Sequence, residues 1–303
     1  MITHPNVKIN LGLNVLRKRE DGFHDLETLF VPYFGISDTL EIVVGDDYSR
    51  TSAALFAKYD PAVAPSQGTA KPEGVFGVET EETSAPKIVQ GISDDGSLMI
   101  TIAREEGVDW DPLKDLTAKA YNILAEDFSL PPVKIFLEKT SPVGAGLGGG
   151  SADAAFALKM LDELCGLNLS EEKLAEYASR LGSDCAFFIY NRPMIGEGRG
   201  EILTEYPLSL DGYDIQVITP AGIAVSTKDA YGGIRPHLPE VPLREALASP
   251  VGQWQDVLVN DFEETVFAKF PELAAIKKSL YDSGAVYASM SGSGSALFAI
   301  YSE

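Results

Sequence analysis

Apolar and polar residues alternate near the start of the chain, in the segment VKINLGLNVL. A period of two places successive side chains on opposite faces of a β-strand. The segment is therefore predicted to be a strand with Lys8 and Asn10 on its polar face. The apolar positions on the other face are Val7, Ile9, Leu11, Leu13 and Val15.

Further strands are predicted at FHDLETLFVPYF, DTLEIVV, GSLMITIA, VKIFLEK and YDIQVITP, with a turn expected from Gly35 to Asp38 between the first two. The segment VYASMSGSGSALFAIY predicts two strands hinged at glycines. Helical spacing of apolar residues occurs in DLTAKAYNILAEDF, from Ala154 to Leu164, in SEEKLAEYASRL and in PELAAIKKSLYDSG. Gly166 and Gly284 are expected to end two of these helices, and Ser170 to cap a third.

The order of these elements lacks the regular strand, helix, strand rhythm of a doubly wound sheet, so we predict an α+β fold with two layers. A length of 303 residues favours two lobes. From about residue 45 to 87 the chain is rich in Pro, Gly, Ser, Thr and acidic residues and has no sustained period. This segment is predicted to be an insertion or long loop with partial order.

Composition narrows the possible partners. The chain has 24 Lys and Arg against 45 Asp and Glu, a net charge of −21, which disfavours nucleic acid and anionic membranes as partners. Cys165 and Cys185 are too few for a disulfide framework or a four-ligand zinc site, and reduced thiols are expected. The sequence contains neither a signal-peptide pattern nor an apolar run long enough for a membrane span, so a cytoplasmic protein is expected.

The most informative stretch is SPVGAGLGGGSADAAFAL, from Ser141 to Leu158, which stands between a predicted strand and a predicted helix. Glycines let consecutive backbone N–H groups converge on an anion, and the helix that follows adds its positive N-terminal end. A flexible linker or a tight turn would use the same residues, but a linker seldom joins a strand directly to an amphipathic helix. Phosphate binding is the favoured interpretation.

Three types of phosphate loop compete for this stretch. Gly144, Gly146 and Gly149 satisfy the dinucleotide pattern G-x-G-x-x-G, but the acidic ribose ligand expected on a second strand about 20 residues later falls in the helical segment LSEEKLAEY. A Walker-type loop requires a lysine after its last glycine, and Gly150 is followed by Ser151. A third type of loop remains.

The segment PVGAGLGGGSADAA resembles the central ATP loop of the GHMP family of small-molecule kinases. VKINLGLNV and MSGSGSALFAIY resemble the first and third motifs of that family, in the same order. The resemblance implies a two-lobed GHMP kinase fold, with a β-rich N-terminal α/β lobe, a ferredoxin-like C-terminal α/β lobe and the active site in the cleft between them. The expected domains are residues 1–165, with the ATP loop, and residues 166–303.

Other segments resemble one branch of that family. KINLGLNVLRKREDGFHDLETLF, LGSDCAFFIY and GEGRGEIL are similar to kinases that phosphorylate the 2-hydroxyl of 4-diphosphocytidyl-2-C-methyl-D-erythritol, a cytidylyl-methylerythritol, in non-mevalonate isoprenoid synthesis. The resemblance implies ATP and Mg²⁺ as cofactors. A GHMP kinase of the homoserine or mevalonate type and a non-catalytic nucleotide-binding sensor remain alternatives, and a monomer or weak homodimer is expected.

The same resemblance implies two catalytic residues. Asp184, in GSDCAFF, matches the aspartate proposed as the base that accepts the hydroxyl proton, a role compatible with capping a helix. Lys8 matches a lysine that approaches the same hydroxyl and stabilises negative charge there. A lone lysine on a strand is otherwise most often solvated.

For the acceptor, the resemblance implies that Asn10 hydrogen-bonds the substrate and that His24 hydrogen-bonds the cytosine ring. Phe23 and Tyr231 are expected to stack on opposite sides of the base, although each could instead be an ordinary packing residue. SGSGS is expected to supply a loop that closes the active site, and a hairpin turn would use the same residues. The closing residues are Ser291, Gly292, Ser293 and Gly294.

For ATP, the resemblance implies that the glycine-rich segment from Pro142 to Ser151 binds the phosphates and that one further residue faces the adenine. Asp115 stands where many relatives have an asparagine, and an aspartate lacks the amide donor, so the purine contacts are expected to differ. The hydroxyl of Ser151 is expected to contact Mg²⁺ that is bridged by phosphate oxygens. The phosphate-binding residues are Pro142, Gly144, Gly146, Leu147, Gly148, Gly149, Gly150 and Ser151.

Overall fold

The computed structural model describes residues 1–45 and 85–303, so nearly all of the predicted insertion at about 45–87 lies outside the described residues. The chain forms two compact units, each assembled from separate stretches of sequence. The first unit comprises Met1–Asn6, Ile36–Ser141 and Gly149–Ile189. The second comprises Val7–Gly35, Pro142–Gly148 and Tyr190–Glu303.

The first unit contains a five-stranded sheet in the order β1-β4-β7-β6-β5. Its strands are β1 (Ile2–Thr3), β4 (Thr39–Val44), β5 (Ile88–Ile92), β6 (Leu98–Arg104) and β7 (Val133–Lys139). β6 and β7 pair in parallel with Ile100 opposite Ile135, and the other pairs are antiparallel. The predicted alternation explains the buried row on β7, where Val133, Ile135 and Leu137 are all enclosed.

Four helices complete the first unit: α1 (Leu116–Ala125), α2 (Gly149–Cys165), α3 (Glu171–Leu181) and α4 (Cys185–Tyr190). The first three pack against one another. Ser170 caps α3, since its hydroxyl accepts a hydrogen bond from the backbone N–H of Lys173, and Gly166 takes a left-handed conformation after the end of α2. Both features agree with the sequence prediction.

The second unit has two antiparallel sheets. The larger, in the order β2-β3-β8-β9, contains β2 (Asn6–Lys18), β3 (His24–Ser37), β8 (Met194–Gly198) and β9 (Ile202–Glu205). The smaller, in the order β10-β12-β11, contains β10 (Tyr213–Ile218), β11 (Tyr287–Met290) and β12 (Leu297–Ser302). β11 and β12 are the two strands predicted on either side of the SGSGS loop.

The helices of the second unit are α5 (Thr227–Gly232), α6 (Leu243–Ala248), α7 (Trp254–Val257), α8 (Phe262–Lys269) and α9 (Pro271–Asp282). An apolar cluster joins the outer part of β2 to α8, α9 and the smaller sheet; it includes Val15, Phe262, Leu273, Met290 and Leu297. None of the helices described has both the length and the apolar character needed to cross a bilayer.

Two sequence predictions differ from the fold. The expected turn from Gly35 to Asp38 is wrong, because β3 runs to Ser37 and Asp38 alone separates it from β4, so the chain passes from one sheet to another without a turn. The polar face of β2 is buried as fully as its apolar face. The domain division after residue 165 stays a prediction, and both compact units draw on sequence from each side of that point.

Candidate active site

Lys8 is the third residue of β2 in the second unit, where its side chain is only 3% exposed. Its ammonium group donates to Asn10 Oδ1 at 2.6 Å and to the carbonyl oxygen of Gly146 at 2.9 Å, and it lies 5.4 Å from the centre of the Phe30 ring. The backbone N–H of Lys8 donates to the carbonyl of Leu147. Residues 142–148 are called the glycine loop below. Strand β2 and this loop are therefore joined through both the backbone and the side chain of Lys8.

Asn10 shares the buried polar face of β2 with Lys8. Its side-chain oxygen accepts from Lys8, and its amide nitrogen donates to Thr28 Oγ1 at 3.0 Å. Thr28 in turn donates to the carbonyl of Gly12 at 2.5 Å. This chain of bonds fixes which side of the Asn10 amide faces Lys8, and it makes Asn10 an orienting partner of the lysine. The sequence analysis did not single out Thr28.

The glycine loop has the backbone geometry that its composition predicts. Gly144, Gly146 and Gly148 all have positive φ, at 71°, 78° and 72°, a region that residues with a Cβ adopt with strain. At Gly146 space is limiting as well, since a Cβ would collide with the carbonyl oxygen of Ser291 and lie 3.0 Å from the backbone nitrogen of Gly294. The buried side chains of Ala145 and Leu147 alternate with these glycines.

The predicted closing loop packs directly on the glycine loop within the second unit. Ser291 is fully buried, and its hydroxyl donates to the Gly146 carbonyl at 3.0 Å, the same oxygen that accepts from Lys8. The backbone N–H of Ala296 donates to the carbonyl of Ala145 at 3.1 Å. Ser293 Oγ lies 3.5 Å from Thr227 Oγ1, and Gly292 and Gly294 both have positive φ.

Asn260 holds the closing loop through hydrogen bonds to its backbone. The sequence analysis did not identify this residue. Its buried amide nitrogen donates to the carbonyls of Met290 and Gly292, at 2.7 and 2.9 Å, and its oxygen accepts from the backbone N–H of Phe262. A single asparagine in an irregular stretch carries no motif. The only local signal is its position two residues before the start of the helix α8, since Asn side chains commonly accept from the backbone two residues on.

The last of the predicted phosphate-binding residues form the start of α2 in the first unit. Gly149 and Gly150 form its first two positions and Ser151 its third. A Cβ on Gly149 would collide with Ser141 Oγ, whereas at Gly150 the space is open. Backbone N–H groups in the first turn of a helix have no partners within the helix, which suits them to an anion. Pro142, which starts the loop, is half-buried.

Asp184 lies immediately before α4 in the first unit and is partly exposed, so its position fits either a base or a helix-starting residue. The next residue, Cys185, is buried and hydrogen-bonded to Ser151. Burial raises the pKa of the Cys185 thiol to about 12, so this cysteine is uncharged and unreactive at neutral pH.

Asp115 caps the start of α1. One carboxylate oxygen accepts from the backbone N–H and the hydroxyl of Thr117, at 2.9 and 2.7 Å, and the other accepts from the indole N–H of Trp110 at 3.0 Å. These three bonds account for the aspartate at a position where an amide was expected, because the bonding partners are all donors. Its contact with adenine stays a prediction.

Of the predicted cytosine-binding residues, Phe23 and His24 lie where the β2 to β3 turn meets β3, and Tyr231 lies on α5. His24 stacks on Tyr231, with ring centres 4.8 Å apart, and the rings of Tyr231 and Phe262 are nearly perpendicular, with centres 4.7 Å apart. Phe23 is 54% exposed, and the Arg199 guanidinium lies 5.0 Å from the centre of its ring. Partial burial, aided by Lys18, lowers the pKa of His24 below 6.5, which keeps the imidazole neutral at neutral pH.

A buried group of charged residues stands beside the first turn of α2. Lys139, the last residue of β7, contacts Asp38, Ser141 and Asp153, and all four side chains are almost fully enclosed. The sequence analysis missed this cluster. Lys139 ends an otherwise apolar strand, and Asp153 lies beside the buried Ala154 and Ala155, which are the local signals that could have identified it.

The described parts of the chain contain no group of three or more His, Cys, Asp or Glu residues arranged to hold a metal ion. A magnesium ion held mainly by phosphate oxygens needs no such cage, and the Ser151 hydroxyl in the first turn of α2 is compatible with that kind of site.

Comparison with known protein families gives two matches. The family model described as GHMP kinases N terminal domain matches residues 115–192, and the one described as GHMP kinases C terminal matches residues 243–303. The matches include Asp115, the glycine loop, Asp184 and the closing loop.

Similar proteins extend these matches to the whole chain. A 4-diphosphocytidyl-2-C-methyl-D-erythritol kinase of Bacteroides fragilis is 43% identical over 302 residues, covering 100% of this chain and 92% of the relative. A crystal structure titled 4-(cytidine 5'-diphospho)-2C-methyl-D-erythritol kinase has a TM-score of 0.69 at 27% identity, covering 99% of this chain and 89% of that one. Homoserine kinase from Cytophaga hutchinsonii shares the fold, with a TM-score of 0.61 at 16% identity over 99% of this chain and 86% of that one.

Proposed function

The chain belongs to the 4-diphosphocytidyl-2-C-methyl-D-erythritol kinases of the GHMP kinase family, and from that membership we propose how its residues carry out the reaction. It is a kinase of isoprenoid biosynthesis with ATP as the phosphoryl donor. The finer proposal is that the acceptor is the 2-hydroxyl of the methylerythritol group, that Asp184 and Lys8 act on it, and that the cytosine is bound near His24.

One observation carries the assignment of the site. The carbonyl oxygen of Gly146 accepts hydrogen bonds from Lys8 and from Ser291. These three residues come from the three motifs that resemble GHMP kinases, and they are separated by more than 130 positions along the chain. Their junction supports the proposal that the three motifs serve one reaction.

The glycine loop and the start of α2 suit the ATP phosphates. Phosphoryl transfer requires positioning and electrostatic stabilisation rather than covalent chemistry from the protein. Backbone N–H groups from a loop rich in positive φ and from the first turn of a helix supply fixed partial positive charge without side chains. This matters in a chain of net charge −21, where the triphosphate must be bound locally.

Magnesium belongs to this proposal as a companion of ATP, held mainly by phosphate oxygens with the Ser151 hydroxyl as its protein contact. When bound, the ion would neutralise charge on the transferring group. The chain's own contribution is to hold Ser151 at the third position of α2, beside the buried thiol of Cys185.

Lys8 and Asp184 are the proposed catalytic residues. The ammonium group of Lys8 is oriented by Asn10 and Gly146, and a buried cation stabilises the alkoxide character and phosphate charge that develop in the transition state. Asp184 is the proposed acceptor of the hydroxyl proton.

The aromatic group at the β2 to β3 turn is proposed to bind cytosine. A neutral imidazole presents one donor and one acceptor, which can match the edge of a pyrimidine. The exposed ring of Phe23 offers a face for stacking, whereas one face of Tyr231 is covered by His24 and would have to be uncovered to stack on the base. Stacking on aromatic residues holds a base without requiring a positive surface, in agreement with the acidic composition.

The proposal is tested with Asp184→Asn, a change that keeps shape and removes the basic carboxylate. We expect kcat to fall about 10²- to 10⁴-fold while ATP binds within about twofold of wild type. Ser183→Ala, at the exposed neighbouring position, is the matched control and is expected to retain activity. Turnover by Asp184→Asn at the wild-type rate would remove Asp184 from the proposed role.

The acceptor position is tested separately by phosphorus and proton NMR of the product, which is expected to carry its new phosphate monoester at the 2-hydroxyl. Cytidine 5'-diphosphate is expected to compete with the acceptor and not with ATP. A product phosphorylated elsewhere, or the absence of competition, would favour another small-molecule kinase of the same family.

A further inference from the structure

We propose that Lys139 is a positioning residue for ATP, which ties the strand end before the glycine loop to the helix start after it. The inference rests on the proposed function, because it assigns the loop to the ATP phosphates. All the residues that carry it lie in the first unit: Asp38, Lys139, Thr140, Ser141, Gly149 and Asp153. They are called the anchor cluster below.

Asp38 binds the residues at the end of β7. One of its carboxylate oxygens accepts from the backbone N–H groups of Thr140 and Ser141, both at 2.7 Å. Its other oxygen accepts from Ser141 Oγ at 2.6 Å and from Lys139 Nζ at 2.5 Å. A side chain that binds both backbone and side-chain groups of three consecutive residues fixes the path of the chain as it leaves β7.

Lys139 then connects this strand end to α2. Its ammonium group donates to Asp38, to Ser141 Oγ at 2.9 Å and to Asp153 Oδ2 at 2.7 Å, so each of its three protons has a bonding partner. Asp153 is the fifth residue of α2, one turn after Gly149. The lysine therefore holds the first turn of the proposed phosphate helix against the end of β7.

Close packing at Gly149 makes the same connection without charge. A Cβ on this residue would collide with Ser141 Oγ and lie 3.2 Å from Lys139 Nζ. The first helical residue thus contacts the groups that Asp38 holds in place. The two chain ends between which residues 142–148 run are consequently fixed relative to each other by one buried cluster.

Stability alone is a poor reason for such a cluster. Three charged side chains that are at most 4% exposed must give up their hydration, and removing these charges from water often costs as much as their attraction returns. What the arrangement supplies is directional: one lysine, two carboxylates and a hydroxyl are compatible with a single geometry. Catalysis by positioning is sensitive to displacements of about 1 Å, and the anchor cluster sets the spacing of the loop ends at that level.

The test is the change Lys139→Met, which keeps the length of the side chain and removes the ammonium group. We expect the dissociation constant of ATP, measured by calorimetry, to rise about tenfold or more, while that of cytidine 5'-diphosphate stays within about twofold. Lys159→Met is the matched control: Lys159 also lies on α2 and donates to the carbonyl of Ile189, within the first unit but outside the anchor cluster. It is expected to lower the melting temperature without changing ATP affinity.

Two further variants keep the test decisive if Lys139→Met does not fold. Ser141→Ala removes only the shared hydroxyl and is expected to weaken ATP binding about threefold, again without affecting cytidine 5'-diphosphate. In the double variant Lys139→Met with Asp153→Asn, the loss of one unneutralised carboxylate is expected to restore part of the melting temperature but not the ATP affinity.

ATP binding at wild-type strength by Ser141→Ala and by Lys139→Met, or by Ser141→Ala alone where the lysine variant is unfolded, would overturn the inference. Equal weakening of both nucleotides by Lys139→Met would do the same, since it would indicate general loss of structure. A wild-type protein that binds no ATP would instead contradict the proposed function, which separates the two failures.

Discussion

Of the two buried carboxylates that Lys139 contacts, Asp153 is the less well stabilised. Lys139 faces both Asp38 and Asp153, and Asp38 is the better supplied with donors, because it also receives two backbone N–H groups and a hydroxyl. In Asp153, by contrast, Oδ1 is the one enclosed side-chain nitrogen or oxygen in the described part of the chain that lacks a hydrogen-bond partner. Burial accordingly raises the pKa of Asp153 well above its ordinary value of 3.8, while the pKa of Asp38 is lowered.

These directions give a prediction for the pH dependence of stability. A carboxyl group whose pKa is raised by folding favours the folded state below its unfolded pKa and loses that contribution as the pH rises through the folded pKa. Asp153→Asn cannot ionise. The free energy of unfolding of the wild type should therefore fall relative to that of Asp153→Asn as the pH rises above about 4, as measured by urea unfolding across the pH range.

Asp95 provides a control of opposite sign. Its carboxylate accepts from Ser93 and Ser97 at an exposed turn, and these bonds lower its pKa to about 2. Relative to Asp95→Asn, the wild type should be favoured above pH 4 and lose that advantage as the pH falls through 2. A wild-type stability that rises with pH relative to Asp153→Asn would contradict the account of the anchor cluster.

At the scale of elements, the glycine loop shows most clearly where the backbone conformation requires glycine. Gly144 and Gly146 share a positive φ, but a Cβ at Gly144 meets nothing within 4 Å, whereas at Gly146 it collides with the Ser291 carbonyl. The two positions therefore separate the cost of conformation from the cost of contact between the glycine loop and the closing loop.

We predict that Gly144→Ala lowers the free energy of unfolding by about 1–2 kcal/mol, the cost of a left-handed residue with a Cβ. Gly146→Ala should cost more than Gly144→Ala and should also disturb the bonds from Lys8 and Ser291, so that kcat falls with it. Chemical unfolding and steady-state kinetics of the two variants give the comparison. Equal effects at both positions would show that the packing of the closing loop on Gly146 has no energetic consequence.

The elements themselves were largely predictable, since each depends on local spacing. The alternation in VKIFLEK and the helical repeat from Ala154 to Leu164 both lie in elements of the predicted type, β7 and α2. The burial of a polar face was not predictable in this way. Lys8 and Asn10 are enclosed because Thr28, Gly146 and Ser291 cover them, and two of these residues are more than 130 positions away from Lys8 and Asn10.

The anchor cluster illustrates the same limit. Lys139 and Asp38 are 101 positions apart, and no local pattern connects them. The wrong expectation of a turn at Asp38 has the same origin. Aspartate is a residue type common in turns, but the carboxylate of Asp38 instead binds the distant residues Thr140 and Ser141. The role of a residue that links distant segments can be identified only in the folded chain.

At the scale of the whole molecule, both the family membership and the net charge bear on how the chain binds its anionic substrates. The chain is related to its kinase relatives over its full length, and its net charge is −21. In the proposed site, backbone N–H groups and Lys8 bind the anionic substrate groups locally. The GHMP fold is shared by kinases of different acceptors, as the homoserine kinase of similar fold illustrates. The fold alone therefore does not decide the acceptor, and we propose that the residues at the β2 to β3 turn do.

The most direct test of the central claim is ADP release by the purified protein with ATP and each of four acceptors: 4-diphosphocytidyl-2-C-methyl-D-erythritol, homoserine, mevalonate and galactose. The account predicts rapid ADP release with the cytidylyl acceptor and only the background rate with the other three. Turnover with homoserine, mevalonate or galactose, and none with the cytidylyl acceptor, would contradict it.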